Sequence, residues 1–134
     1  AYTDRELLEL VDSVDERDLP LDVLVVDMDW HLVGWTGFTW DRRYFPDPDR
    51  FMRQIGERQI SVSLNLHPAE GVASFEAGYA SLAARLGTTE PTIPFEPSDE
   101  RFMRAYFDTV LGPLEDQGVR FWWLDWQQGD RCAL

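Results

Sequence analysis

The spacing of apolar positions changes along the chain, and each change marks an element. In "TDRELLELVDSVDERDLP", Leu7, Leu8, Leu10, Val11 and Val14 share one helical face. Thr3 and Glu6 stand at capping-box spacing at its start, and Pro20, lacking an N–H, is expected to end it. "LDVLVVD", residues 21–27, is short, β-branched and apolar at successive positions, the pattern of a strand buried on both faces. "DPDRFMRQIGERQ" returns to helical spacing, with Asp47 as cap, Pro48 at the first position and Phe51, Met52 and Ile55 facing inward. "ISVSLNLHP", 60–68, alternates Ile60, Val62, Leu64 and Leu66 as a second strand, stopped by Pro68. Residues 74–87 read as a short helix ended by Gly87, and 88–99, with three prolines, as a loop. Residues 98–118 predict a helix capped by Ser98 and kinked or broken at Gly112-Pro113. Gly118 ends it, and "VRFWWLDW" is a third buried strand.

Strands that alternate with helices predict an α/β fold: three parallel strands with flanking helices. In such folds, polar residues at the C-terminal ends of the strands face the ligand crevice. Here they are Asp27 and Asp29, Asn65 and His67, and Asp125. Each could instead cap a helix or close a loop. Asp125 stands out because it follows directly on Phe121-Trp122-Trp123-Leu124, a buried strand delivering a carboxylate to the rim.

Charge and composition narrow the chemistry. The 134 residues carry 25 acids against 12 bases, a net charge of −13. A surface so acidic repels phosphate backbones and anionic lipid, so neither nucleic acid nor membrane is an expected partner. No apolar run reaches the roughly 18 residues of a membrane span. "AYTDRELLEL" has neither a basic nor an apolar export region, which favours a cytoplasmic location, although an internal fragment would carry no such signal. Every base is Arg, so lysine-dependent chemistry is excluded. The single Cys132 can form no internal disulfide and has no Cys companions for structural zinc.

Strand-end carboxylates beside aromatic side chains point to carbohydrate, because sugar rings stack on Trp and Tyr while Asp binds hydroxyls or attacks the anomeric carbon. Residues 30–45 hold Trp30, Trp35, Phe38, Trp40, Tyr44 and Phe45. Most are expected to pack a small core beneath the loop, leaving one or two exposed over Asp27 as a sugar platform.

"PLDVLVVDMDWH", "FTWDRRYFPDPDRFM", "SLNLHPAEG" and "RFWWLDWQQG", in that order, resemble glycoside hydrolase family 31, the family of α-glucosidases and α-xylosidases. The resemblance covers nearly the whole chain and is weakest over 70–97. It implies a (β/α)₈ TIM barrel of which residues 1–134 form one incomplete segment, about strands two to four. It also implies a retaining α-glycosidase that needs no cofactor or metal. Asp125 falls at the nucleophile position of that family, and Asp27 where an aspartate binds sugar hydroxyls in the −1 subsite. His67 falls where many members carry another substrate-binding acid. Met28, Trp123, Trp126 and Gln128 fall around the same subsite. The common motif Trp-x-Asp-Met-Asn-Glu is here Trp123-Leu124-Asp125-Trp126-Gln127-Gln128, and His67 replaces an acid. Both changes sit at the sugar, which leaves room for an amino or galacto-configured one.

The family's general acid/base lies two strands beyond the nucleophile, and the sequence ends nine residues after Asp125. The expected partners are therefore a carbohydrate and the rest of a barrel of roughly 250 residues, or a second copy on the exposed sheet edges. Alone, the segment is expected to be inactive. Two other readings remain at this stage. "VVDMDWHLV" resembles the Asp-x-Asp opening of haloacid-dehalogenase-like phosphotransferases, but lacks the following Gly-Thr, and the chain lacks their Lys. The other is a non-catalytic carbohydrate-binding or structural module.

Overall fold

The computed structural model describes residues 1–32 and 34–125. Helix α1, Asp4–Asp15, opens on the expected box: Thr3 Oγ1 accepts from the Glu6 N–H, and the Thr3 N–H donates to Glu6 Oε2 at 2.8 Å. It ends earlier than Pro20. Asp18 takes a left-handed φ of 54°, and the Leu19 N–H turns back to the Val14 carbonyl, closing the helix before proline is reached. Strand β1 is Val23–Val26. Helix α2, Pro48–Glu57, carries Pro48 at its start and Asp47 as cap, its side chain accepting from the Arg50 N–H. Strand β2 is Ser61–Asn65.

The stretch between 70 and 97 departs most from expectation. β3, Val72–Ala73, pairs antiparallel with β4, Thr92–Ile93, inside what reads as a proline-rich loop. Gly71 permits this ribbon: its φ is +82°, and a Cβ there would lie 2.2 Å from the Ile93 carbonyl oxygen. Between them runs α3, Tyr79–Leu86, ended by left-handed Gly87. α4, Glu100–Tyr106, is capped by Asp99 rather than Ser98, with the Asp99 side chain accepting from Arg101 and Phe102 N–H. Of the kink or break expected at Gly112-Pro113, the break does not occur, and the irregularity takes another form. A π-helical turn, Phe107–Leu111, leads directly into α5, Gly112–Asp116. Proline cannot donate to the carbonyl four residues back and crowds it; widening one turn accommodates both. β5, Val119–Trp123, follows.

The main sheet is parallel, in the order β1-β2-β5. One face carries Leu24, Val26, Val62, Leu64 and Val119 against Leu7, Val11, Phe51, Met52, Ile55 and Leu114 of the helices. Truncating Leu64, fully buried on the central strand, is expected to cost about 2–5 kcal/mol; the shift of a urea unfolding midpoint for Leu64→Ala measures it.

The strand at 21–27 was expected to be buried on both faces and the one after Gly118 to be buried, whereas among the described residues only the central β2 has both faces buried. Val25, Phe121 and Trp123 remain 44%, 46% and 40% exposed. They occupy the other face, in register Val25↔Ser63↔Phe121 and Asn65↔Trp123. The apolar run of each outer strand is real, but half of it lies on a face that the described helices do not cover.

Candidate active site at the strand ends

Register and the two-residue period of strands assemble the site. Asn65 pairs with Trp123, and the Leu66 N–H continues the ladder to the Trp123 carbonyl at 2.9 Å. Two residues further on, along the same open face, His67 and Asp125 come side by side. His67 Nε2 lies 2.9 Å from Asp125 Oδ1, and Asn65 Nδ2 donates to the same oxygen at 3.1 Å. Asp125 is a quarter exposed while His67 is 2% exposed. A carboxylate thus stands at the mouth of the sheet with two donors fixed behind it. Trp30 supports the arrangement from below: its buried indole N–H donates to the Asn65 carbonyl at 2.9 Å.

Asp27 is the next position after Val25 on the open face of β1. Its exposed carboxylate accepts from the Met28 N–H at 2.7 Å, capping a short 3₁₀ turn, Met28–Trp30, in which Met28 is half-buried. Asp29 lies outside this cluster, 3.3 Å from the Ala1 amino group. Trp123 occupies the open face below Asp125. Trp126, Gln128 and Cys132 lie outside the described residues. Among the described residues no three His, Cys, Asp or Glu side chains converge as a metal site, and no helix is long and apolar enough to cross a membrane.

The aromatic loop divides as expected. Trp30, Trp40 and Phe45 belong to the main core and Phe38 to the second core. Trp35 is the exposed one, at 37%, and it stacks on His67. The ring centroids are 3.9 Å apart and the planes 29° from parallel. His31 is a structural histidine: buried, held neutral by a pKa that desolvation lowers, with Nδ1–H donating to the Leu32 carbonyl at 2.6 Å.

Sequence reading missed Glu76 and Asp41, because an acid inside a helical or loop pattern ordinarily reads as solvated. Both are buried. Asp41 accepts from Arg43, whose guanidinium holds its carboxyl below the ordinary range. Glu76 receives the Phe38 N–H at 3.1 Å and the Thr39 hydroxyl at 2.5 Å, and burial raises its pKa. A carboxyl whose pKa rises on folding binds protons more tightly in the folded state. Its contribution to stability is therefore complete below the ordinary Glu value and lost as pH rises through the raised one. Relative to Glu76→Gln, the wild type is expected to lose melting temperature across that window; parallel melting curves at all pH values would refute it.

The chain is similar to known proteins. The model of the glycosyl hydrolases family 31 TIM-barrel domain matches residues 1–131. Alpha-xylosidase XylQ of Lactiplantibacillus pentosus is 34% identical over 68 residues, covering 50% of this chain and 9% of that protein. An alpha-xylosidase of Saccharolobus solfataricus is 28% identical over 123 residues, 90% of this chain and 16% of its own length. The crystal structure of a GH31 alpha-xylosidase from Xanthomonas citri superposes with a TM-score of 0.70 at 21% identity, over 92% of this chain and 15% of that one. This likeness shows the fold. The chain spans about a sixth or less of the length of these relatives.

Proposed function

The chain belongs to glycosyl hydrolase family 31, within its TIM-barrel domain, and from that premise we propose that it is the nucleophile-bearing segment of a retaining α-glycosidase. It supplies about strands two to four of the barrel, with β1, β2 and β5 as those strands. The observation that carries the reading is the convergence of Asn65 and His67 on Asp125 at the C-terminal edge of a parallel sheet, the edge on which such barrels build active sites.

The chemistry follows from a carboxylate held in that way. An Asp125 oxygen attacks the anomeric carbon as the bond to the aglycone oxygen breaks. That oxygen takes a proton from a general acid contributed by another part of the barrel. The product of this step is a glycosyl ester on Asp125. Water, losing a proton to the same group, then attacks the anomeric carbon and returns the carboxylate. Two inversions leave the sugar in its starting α configuration. Asp27 accepts hydroxyl hydrogens of the bound sugar. Met28, Trp123 and Trp126 wall the subsite, and Gln128 contributes a polar contact. The substrate class is an α-linked sugar, consistent with alpha-xylosidases among the relatives. Proton NMR of the first-formed product tests the mechanism: an α-anomer that later mutarotates is expected of the full-length enzyme, and an initial β-anomer would contradict it.

A further inference from the structure

We propose that His67 is a positioning residue for Asp125 rather than a ligand of the sugar, and that Trp35 locks it in that role. The inference rests on the reading of Asp125 as the nucleophile.

Neither ring nitrogen of His67 is available to a substrate. Nε2 is committed to Asp125 at 2.9 Å. Nδ1 is buried and meets no hydrogen-bonding partner among the described residues. Facing a carboxylate oxygen, Nε2 carries an N–H and donates it. The ring is almost wholly buried, and Trp35 stacks on it at 3.9 Å. The surface offered to a sugar at this point is therefore indole, not imidazole.

Trp35 is placed deliberately. Gly34 turns the chain with a φ of +100°. Thr36 Oγ1 accepts the Glu70 N–H at 3.3 Å, tying the loop after β1 to the turn after β2. Phe38 and Thr39 are anchored on buried Glu76, and the Thr39 hydroxyl oxygen also accepts the Ala77 N–H. The loop that carries Trp35 is thus sewn to the segment that carries His67. Asn65 provides the second donor to the same carboxylate oxygen. An acid at position 67 would accept a sugar hydroxyl; His67 instead donates to the nucleophile. In the second chemical step negative charge returns to this carboxyl, and both donors already face it.

Full-length enzyme carrying His67→Gln or His67→Asn separates the roles. Gln places an amide N–H near the position of Nε2, whereas Asn reaches only to that of Nδ1. Turnover of 4-nitrophenyl α-xyloside and α-glucoside is measured about 10 °C below the lower melting point of the pair, so that folding is held constant. For His67→Asn we expect kcat to fall about 100-fold, as a misplaced reacting group does, with KM changed less than about threefold. His67→Gln should recover at least about tenfold of that loss. Equal kcat for the two variants, or a rise in KM with kcat intact, would overturn the positioning role. Full turnover by Asp125→Asn would instead sink the nucleophile reading, whatever the His67 variants do.

Discussion

Asp125→Ala in the full-length enzyme is expected to lower kcat on an aryl α-glycoside by roughly 10⁴-fold or more. Removing the carboxylate removes the bond-forming atom, and neither Asn65 nor His67 can replace it, since both present N–H groups to this point. The space left by the side chain admits a small anion. Added azide should therefore attack the anomeric carbon from the vacated side and restore part of the turnover. The product is then the β-glycosyl azide, because one inversion replaces two. An unchanged kcat would remove Asp125 from the chemistry. An α-configured azide would place the nucleophile elsewhere.

The second large effect concerns the 134-residue chain by itself. On the proposed reading, in which another part of the barrel contributes the proton donor and most sugar contacts, we expect turnover at least about 10⁴-fold below that of the full-length enzyme. We also expect the chain to associate with itself. Strands β1 and β5 are the two edges of the sheet, and unpaired edges recruit further strands. The open face adds Val25, Phe121 and Trp123, all exposed, an apolar surface that water does not tolerate when it is contiguous. Gel filtration coupled to light scattering and an activity assay check both points. A stable monomer that hydrolyses the glycoside would contradict them.

Much of this site is written in local patterns. β2 is legible because Ile60, Val62, Leu64 and Leu66 alternate, and α2 because Asp47-Pro48 is a helix start. Both signals depend only on near neighbours. The strand-end residues were visible for the same reason: a strand must stop, and Asn65, His67 and Asp125 stand where two strands do. Their contact was not visible, because it depends on the register Asn65↔Trp123, a pairing between residues far apart in the sequence. Trp35 shows the limit again. Its exposure was expected of one or two loop aromatics, but its destination on His67 is set by Gly34, Thr36 and Glu76 acting together. The β3–β4 ribbon was hidden because its pairing joins residues on either side of a helix, and the π turn before Pro113 because a proline can be accommodated by widening a turn as well as by breaking the helix. The outer strands are half-exposed for a simpler reason: an apolar run reports that two faces want cover, not what covers them.

The most direct measurement of the central claim is the site of covalent capture. The full-length enzyme is incubated with α-configured epoxide or aziridine sugar probes, digested, and its peptides weighed and fragmented. A retaining enzyme with this geometry should carry the sugar on Asp125 at one probe per chain, in step with loss of activity, and the probe that reacts fastest should report the sugar class. An adduct on Asp27 or on another carboxylate, with Asp125 unlabelled in inactivated enzyme, would contradict it.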